Sequence, residues 1–138
     1  MKTILTGLGT FGACHAVRWY LDRSSRRDEV FAGGRLQLTT VRNRNAAFGL
    51  RIPARILLGA SGAALFLAWR KRRAHPLSAG LILGGGAANL TERLCSGSVY
   101  DYVQFPKAPG RLKHYVFNLA DFAILAGCVG MLLGGEKE

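Results

Sequence analysis

Acidic residues are scarce in this chain. Its 138 residues hold 8 Asp and Glu against 19 Lys and Arg, a formal net charge of +11. In a soluble protein that excess would point to nucleic acid. No nucleic-acid motif and no interleaving of aromatic with basic residues accompanies it here, so no nucleic-acid partner is expected. The basic residues fall mostly between apolar segments, which points to a membrane surface carrying anionic lipid. Cysteine is sparse as well. Cys14, Cys95 and Cys128 each lie in or beside an apolar segment, with no CxxC or Cys/His spacing. That excludes a disulfide framework and a zinc site, and the three read as small buried hydrophobes. GxSxG, HExxH and Walker motifs are missing. The GGGAAN run at 84–89 lacks the preceding strand of a dinucleotide fold, so its glycines read as helix-packing contacts. His15, His75 and His114 are scattered, the first packed in a helix and the other two in loops or at an interface.

Apolar content and glycine are what the chain does have. Apolar residue types make up 49% of it, and there are 18 glycines. Four apolar segments stand out, at 4–20, 56–69, 77–90 and 115–133. Only the fourth approaches the roughly 20 residues that a bilayer helix needs. The flanks lengthen the others: Arg55, Arg70 and Lys71 can carry their charges outward along apolar stems. Trp69 and Tyr115 suit an interfacial belt. Small residues in LLGASGAALF and LAGCVGMLLGG let helix backbones approach closely in lipid. Residues 1–22 have a leading Lys2 and an apolar stretch but no small-x-small cleavage site, so they read as a retained first helix. The expectation is one integral membrane domain over 1–138, an all-α membrane protein rather than a soluble bundle. Its four transmembrane helices are expected at about 3–20, 54–70, 76–94 and 114–134.

The connections differ in kind. RKRRAHP at 70–76 is a tight basic turn, with Pro76 suited to a helix start. The long connection at 21–52 alternates partly, with Leu36, Leu38 and Thr40 on one side and Arg35, Gln37 and Thr39 on the other. It predicts one or two short strands with a turn at Gly33–Gly34. The connection at 95–113 contains the breakers Pro106, Pro109 and Gly110. Counted raw, the positive charges put the long loops in the cytoplasm, whereas charge density at the helix ends favours the RKRR turn.

Two apolar stretches carry polar residues that a lipid- or core-facing helix excludes. Asn89, Glu92 and Arg93 close the third segment, Asp101 follows it, and Asn118 and Asp121 sit inside the fourth. A carboxylate in such surroundings is costly and signals function. In an up-down bundle the end of helix 3 and the start of helix 4 lie on one side, so Asp101 and Asp121 can converge. Asn89 and Arg93 share a face at i, i+4, and Asn118 and Asp121 at i, i+3. Two close carboxylates share one proton, so one can take a proton from water and the other can donate to a carbonyl oxygen, with no metal or cofactor. The competing readings are a capping role for Asp121 with Asp101 paired to Arg93 in solvent, and a proton or ion relay through Asp121.

The ordered set VRNRNAAFG, GGGAANLTERL, GSVYDY and FNLADFAI resembles the lipoprotein signal peptidase (signal peptidase II) family, membrane aspartic peptidases of bacteria. The similarity spans roughly residues 36–134, and FN-x-AD in a last helix is its strongest element. The resemblance implies four transmembrane helices, a small extracytoplasmic β-sheet from the first long loop (21–52) and a short extracytoplasmic helix in the second (95–113). It implies cytoplasmic termini, a multi-pass place in the bacterial cell (inner) membrane, and an active site near the extracytoplasmic surface. The catalytic aspartates would be Asp101 and Asp121, with Asn43, Asn89, Arg93, Asn118 and Ala120 shaping and supporting the pocket. The implied substrate is a prolipoprotein whose lipobox cysteine carries diacylglycerol, cut just before that cysteine. Membrane lipid and globomycin-type inhibitors are implied partners, no cofactor is implied, and the chain is expected to be a monomer. Three departures mark a divergent member. Glu92 stands for the Asp of NxxDR, Asn45 for the Gly of RNxGAAF, and the first-helix Asp followed by Lys is missing, with Arg18 nearby. They leave open a dedicated substrate or a non-catalytic role in binding lipoprotein or inhibitor.

Overall fold

The computed structural model describes residues 1–134 apart from Ser25 and Arg27. Residues 135–138, included in the expected domain, lie outside the described residues. Four helices dominate: α1 (Lys2–Arg23), α2 (Ala54–Arg70), α3 (Pro76–Ser96) and α4 (Leu119–Leu133). Between them lies a four-stranded antiparallel sheet in the order β1 (Val30–Phe31), β2 (Leu36–Asn43), β3 (Val99–Gln104), β4 (Val116–Phe117).

α3 is the central helix, and glycine makes it so. A Cβ on Gly84 would collide with the Gly7 carbonyl oxygen and lie 2.7 Å from Thr10 Cβ, both on α1. On another side of α3, a Cβ on Gly85 would lie 2.8 Å from the Ala120 carbonyl oxygen of α4. Gly127 of α4 returns the contact, its missing Cβ 2.7 Å from the Ser78 carbonyl oxygen. Backbones this close exclude any side chain at the crossing, which is how small residues join helices that have few large core residues. The buried set is correspondingly small, with Cys14, Ala88 and Ala120 packed under Phe11 and Leu119. His15 stacks edge-on to Phe11 at 4.5 Å between centroids. Cys14 is buried, but Cys95 and Cys128 are exposed, contrary to expectation.

No helix of the described residues is long and apolar enough to cross a membrane. α1 and α3 have 22 and 21 residues but are diluted by glycine, hydroxyl and charged residues. α2 and α4 are apolar but have 17 and 15 residues. What stands is a helix-rich fold with a small antiparallel sheet.

The sheet departs from expectation in its origin. The Gly33–Gly34 turn does join two strands, with Gly33 and Gly34 both at positive φ. But two of the sheet's four strands come from elsewhere: β3 forms inside the second connection, a stretch expected to be a loop, and β4 inside the stretch expected as the fourth helix. VYDYVQ is rich in β-branched and aromatic residues, and its first four residues are buried. The short helix expected in this connection is a single 3₁₀ turn at Leu112–His114. α4 begins at Leu119, five residues later than expected, because Val116 and Phe117 pair with Gln104 and Val103 as β4.

Candidate active site

The junction of β3 with α4 brings the polar residues together. β2 and β3 run antiparallel with Val41 opposite Asp101 and Asn43 opposite Val99. Successive residues of a strand alternate faces, so Asn43 lies diagonally across from Asp101 on the same face. Its Nδ2 donates to Asp101 Oδ2 at 3.1 Å. A register shift between Leu38 and Val41 sets this alignment and interrupts the alternation seen earlier in the strand.

Asn118 is the hub. It is not inside the helix, as the i, i+3 spacing suggests; it is the N-cap of α4, in extended backbone conformation. Its Oδ1 accepts the Asp121 N–H at 2.9 Å, and its own N–H donates to Asp121 Oδ2 at 3.0 Å. That reciprocal pair is a capping box, with Asp in the third helical position. The Asn118 Nδ2 donates to Asp101 Oδ1 at 2.9 Å and to Asn89 Oδ1 at 3.0 Å. Asn89 Nδ2 in turn donates to Asp121 Oδ1 at 3.1 Å. Asp121 therefore does cap a backbone, and the same bonds join it through two asparagines to Asp101.

Asp101 is 3% exposed and Asn118 4%. Burial, then the nearby Asp121 carboxylate, push the Asp101 carboxyl up to about 7, against the opposing pull of Asn43, Asn118 and Arg93. Arg93 forms no hydrogen bond with either carboxylate. Its Nη2 donates to the Asn45 carbonyl oxygen at 3.1 Å, and the Asn45 N–H donates to Asn43 Oδ1 at 2.9 Å. Arg93 thus fixes the turn that aims Asn43. Asp101 and Arg93 do not form a solvent-exposed pair. Ala120 is 3% exposed and packs against α3 beneath the polar layer.

Three further residues belong to this layer and were not singled out as site residues. Tyr102 Oη accepts the Leu119 N–H at 2.9 Å, so β3 also supports the first turn of α4. Burial drives the Tyr102 hydroxyl up to about 12. Glu92 Oε2 accepts the Tyr100 N–H at 2.8 Å. The alternation in VYDY was the available signal for Tyr100 and Tyr102. No group of His, Cys, Asp and Glu among the described residues is arranged to hold a metal ion. The arrangement offers two carboxylates fixed by amide donors, with the Asp101 carboxyl raised to about 7 by burial and by its neighbour. That is the equipment of general acid/base chemistry on a polar bond.

The family model and the curated relatives name one family, and the solved structures share the fold. The family model described as signal peptidase (SPase) II matches residues 12–135. A lipoprotein signal peptidase of Syntrophomonas wolfei is 38% identical over 130 residues, covering 86% of this chain and 81% of the relative. One from a Methylobacterium species is 37% identical over 154 residues, covering 96% and 90%. A solved structure of a bacterial membrane enzyme superposes with a TM-score of 0.79 at 16% identity, covering 95% of this chain and 85% of the other. A second bacterial membrane enzyme structure gives 0.78 at 16% identity over 99% and 93%.

Proposed function

Because the chain belongs to the signal peptidase II family, we propose that it removes signal peptides from prolipoproteins as an aspartic endopeptidase. The substrate is a prolipoprotein whose cysteine already carries diacylglycerol, and the cut falls just before that cysteine. Asp101 and Asp121 are the catalytic residues, with Asn43, Asn89, Arg93, Asn118 and Ala120 as support. One observation carries the reading: a single buried amide, Asn118, bonds to Asp101 and caps the helix through Asp121.

The chemistry follows from the pair. Asp121 accepts from the Asn118 N–H and the Asn89 amide at a helix N-terminus, contacts that offset part of the cost of burying its charge. It serves as base. Asp101, with its carboxyl raised to about 7, serves as acid. Water loses a proton to Asp121 as it attacks the scissile carbonyl carbon, and Asp101 protonates the carbonyl oxygen. The tetrahedral intermediate collapses by breaking the C–N bond, returning a proton to Asp101 and delivering the one on Asp121 to the leaving amine. The two carboxylates titrate as a unit throughout.

A membrane location follows from the same premise, in the cell membrane of a bacterium. Ile4, Leu8, Phe66, Leu67, Leu125, Leu132 and Leu133 are all more than half exposed on the helices, which supports bilayer contact around the bundle. At about 1.5 Å per residue, α1 and α3 reach roughly 30 Å, the thickness of a hydrocarbon core. α2 and α4, with 17 and 15 residues, are shorter. The sheet and the site then lie at the extracytoplasmic surface, where water meets the scissile bond.

The test is cleavage of a diacylglyceryl prolipopeptide by the purified chain in detergent, with fragments identified by mass. The parent yields a fragment beginning at the lipidated cysteine. Asp101→Asn and Asp121→Asn each lower kcat by about 10²–10⁴-fold, the range of general acid/base catalysis. Variants that both cleave as well as the parent would refute the dyad.

A further inference from the structure

Tyr100, the residue before Asp101, is held from two directions. β2 runs along one edge of β3, while β4 covers the other only at Val103 and Gln104. Along the stretch containing Asp101, no strand among the described residues supplies acceptors on that second edge. The Tyr100 N–H instead donates to Glu92 Oε2 of α3 at 2.8 Å. The other Glu92 oxygen, Oε1, lies 3.6 Å from Arg18 Nε of α1. The Arg18 guanidinium carbon sits 5.8 Å from the centroid of the Tyr100 ring. At the far end of that ring, Tyr100 Oη and Thr40 Oγ1 of β2 share a hydrogen bond at 3.2 Å. Tyr100 is 3% exposed, and the Glu92 side chain 11%. A carboxylate bonded to a buried amide makes a charge-assisted, short and directional contact. An amide left without it would be an orphan donor in the interior.

We propose that Glu92, oriented by Arg18, is a positioning residue for the peptidase reaction. It stands in for the missing strand partner of β3 and fixes the Val99–Tyr100 peptide, one residue before Asp101. Glu92 supplies the carboxylate from α3, and Arg18 supplies its counter-ion from α1. Arg93 does the matching work on the other side, fixing Asn45 and through it Asn43. The two neighbours on α3 thus hold the two strands whose side chains meet at Asp101. Loosening one peptide by about 1 Å is enough to cost roughly 10²-fold in rate when the group it carries must meet a substrate atom.

The inference rests on the proposed peptidase activity, and its test separates the two. The parent must first cleave a diacylglyceryl prolipopeptide; a parent that does not cleave sinks the activity itself. Glu92→Ala, Glu92→Gln and Arg18→Gln are then compared for kcat, KM and hydrogen exchange of the Tyr100 amide in detergent. Glu92→Ala is expected to free the Tyr100 amide and lower kcat by about 30- to 100-fold with KM within about 2-fold. Glu92→Gln keeps an acceptor oxygen, so it retains amide protection and kcat to within about 3-fold. Arg18→Gln falls between, and combining it with Glu92→Ala costs nothing more than Glu92→Ala alone, because Arg18 acts through Glu92. Should Glu92→Ala not fold, the two Gln variants decide. In each, kcat must follow the protection of the Tyr100 amide. Any variant that frees this amide at unchanged kcat, or loses kcat 10-fold with the amide still protected, overturns the proposal.

Discussion

Replacing Asp101 by Asn should make the protein more stable relative to the parent as the pH rises. The Asp101 carboxyl is raised from its ordinary value of 3.8 to about 7, first by burial and then by Asp121. The folded protein therefore holds this proton more tightly than the unfolded chain does. The stabilisation from that proton is complete below about pH 3.8 and is lost as pH rises through about 7. Across the whole interval it amounts to about 4 kcal/mol, more than half of it between pH 5 and pH 8. Asn at this position does not titrate. It does introduce a fixed cost. Both Asp101 oxygens accept from amide NH₂ groups, those of Asn43 and Asn118, so one NH₂ of the new Asn must face another donor. That mismatch is worth about 1–3 kcal/mol, but it is the same at every pH and cancels from the pH dependence. The assay is unfolding of parent and Asp101→Asn by sodium dodecyl sulfate titration in mixed micelles, at intervals from pH 5 to pH 8. The stability of the parent relative to the variant should decline by about 2–3 kcal/mol over that interval. A difference constant to within about 0.5 kcal/mol would mean that Asp101 does not exchange its proton there, and would remove its assignment as the acid.

Two further perturbations test the supports. Asn118→Ala removes the α4 cap, worth about 1 kcal/mol, and leaves Asp101 Oδ1 and Asn89 Oδ1 short of a donor, so a total loss of about 3 kcal/mol is expected with near-complete loss of cleavage. Asn118→Ser keeps the cap but cannot reach Asp101, so it should recover about 1 kcal/mol of thermal stability and little activity; equal activity in Ser and Asn forms would argue against the bridge. Gly84→Ala forces a methyl against α1 and should cost about 1–3 kcal/mol, whereas Gly62→Ala meets nothing within 4 Å and should gain about 0.5–1 kcal/mol in the same thermal scan.

The amino-acid sequence by itself determined the helices and the chemistry available to them. Apolar runs broken by RKRRAHP and by proline and glycine mark α2 and α3 closely, since helix periodicity is local. The scarcity of acids made Asp101 and Asp121 stand out, and their positions at the adjoining ends of two segments were enough to bring them near each other. The ordered motifs pointed to the family from side-chain identity alone. Tertiary structure decided the rest, because the deciding contacts join residues far apart in the chain. β3 exists because β2, 58 residues away at the Asn43–Asp101 contact, pairs with it. The pairing of Val116 and Phe117 shortened α4 and turned Asn118 from a helix residue into a cap. That change of role, invisible to an i, i+3 count, lets one amide serve both the helix end and Asp101. Arg93 and Glu92 are neighbours on a helix, so adjacent side chains point different ways, and only the packed sheet shows that each holds a different strand. Local pattern specifies what a residue can do. Which partner it meets depends on backbone approach, and here that approach is set by Gly84 and Gly85 on the two sides of α3.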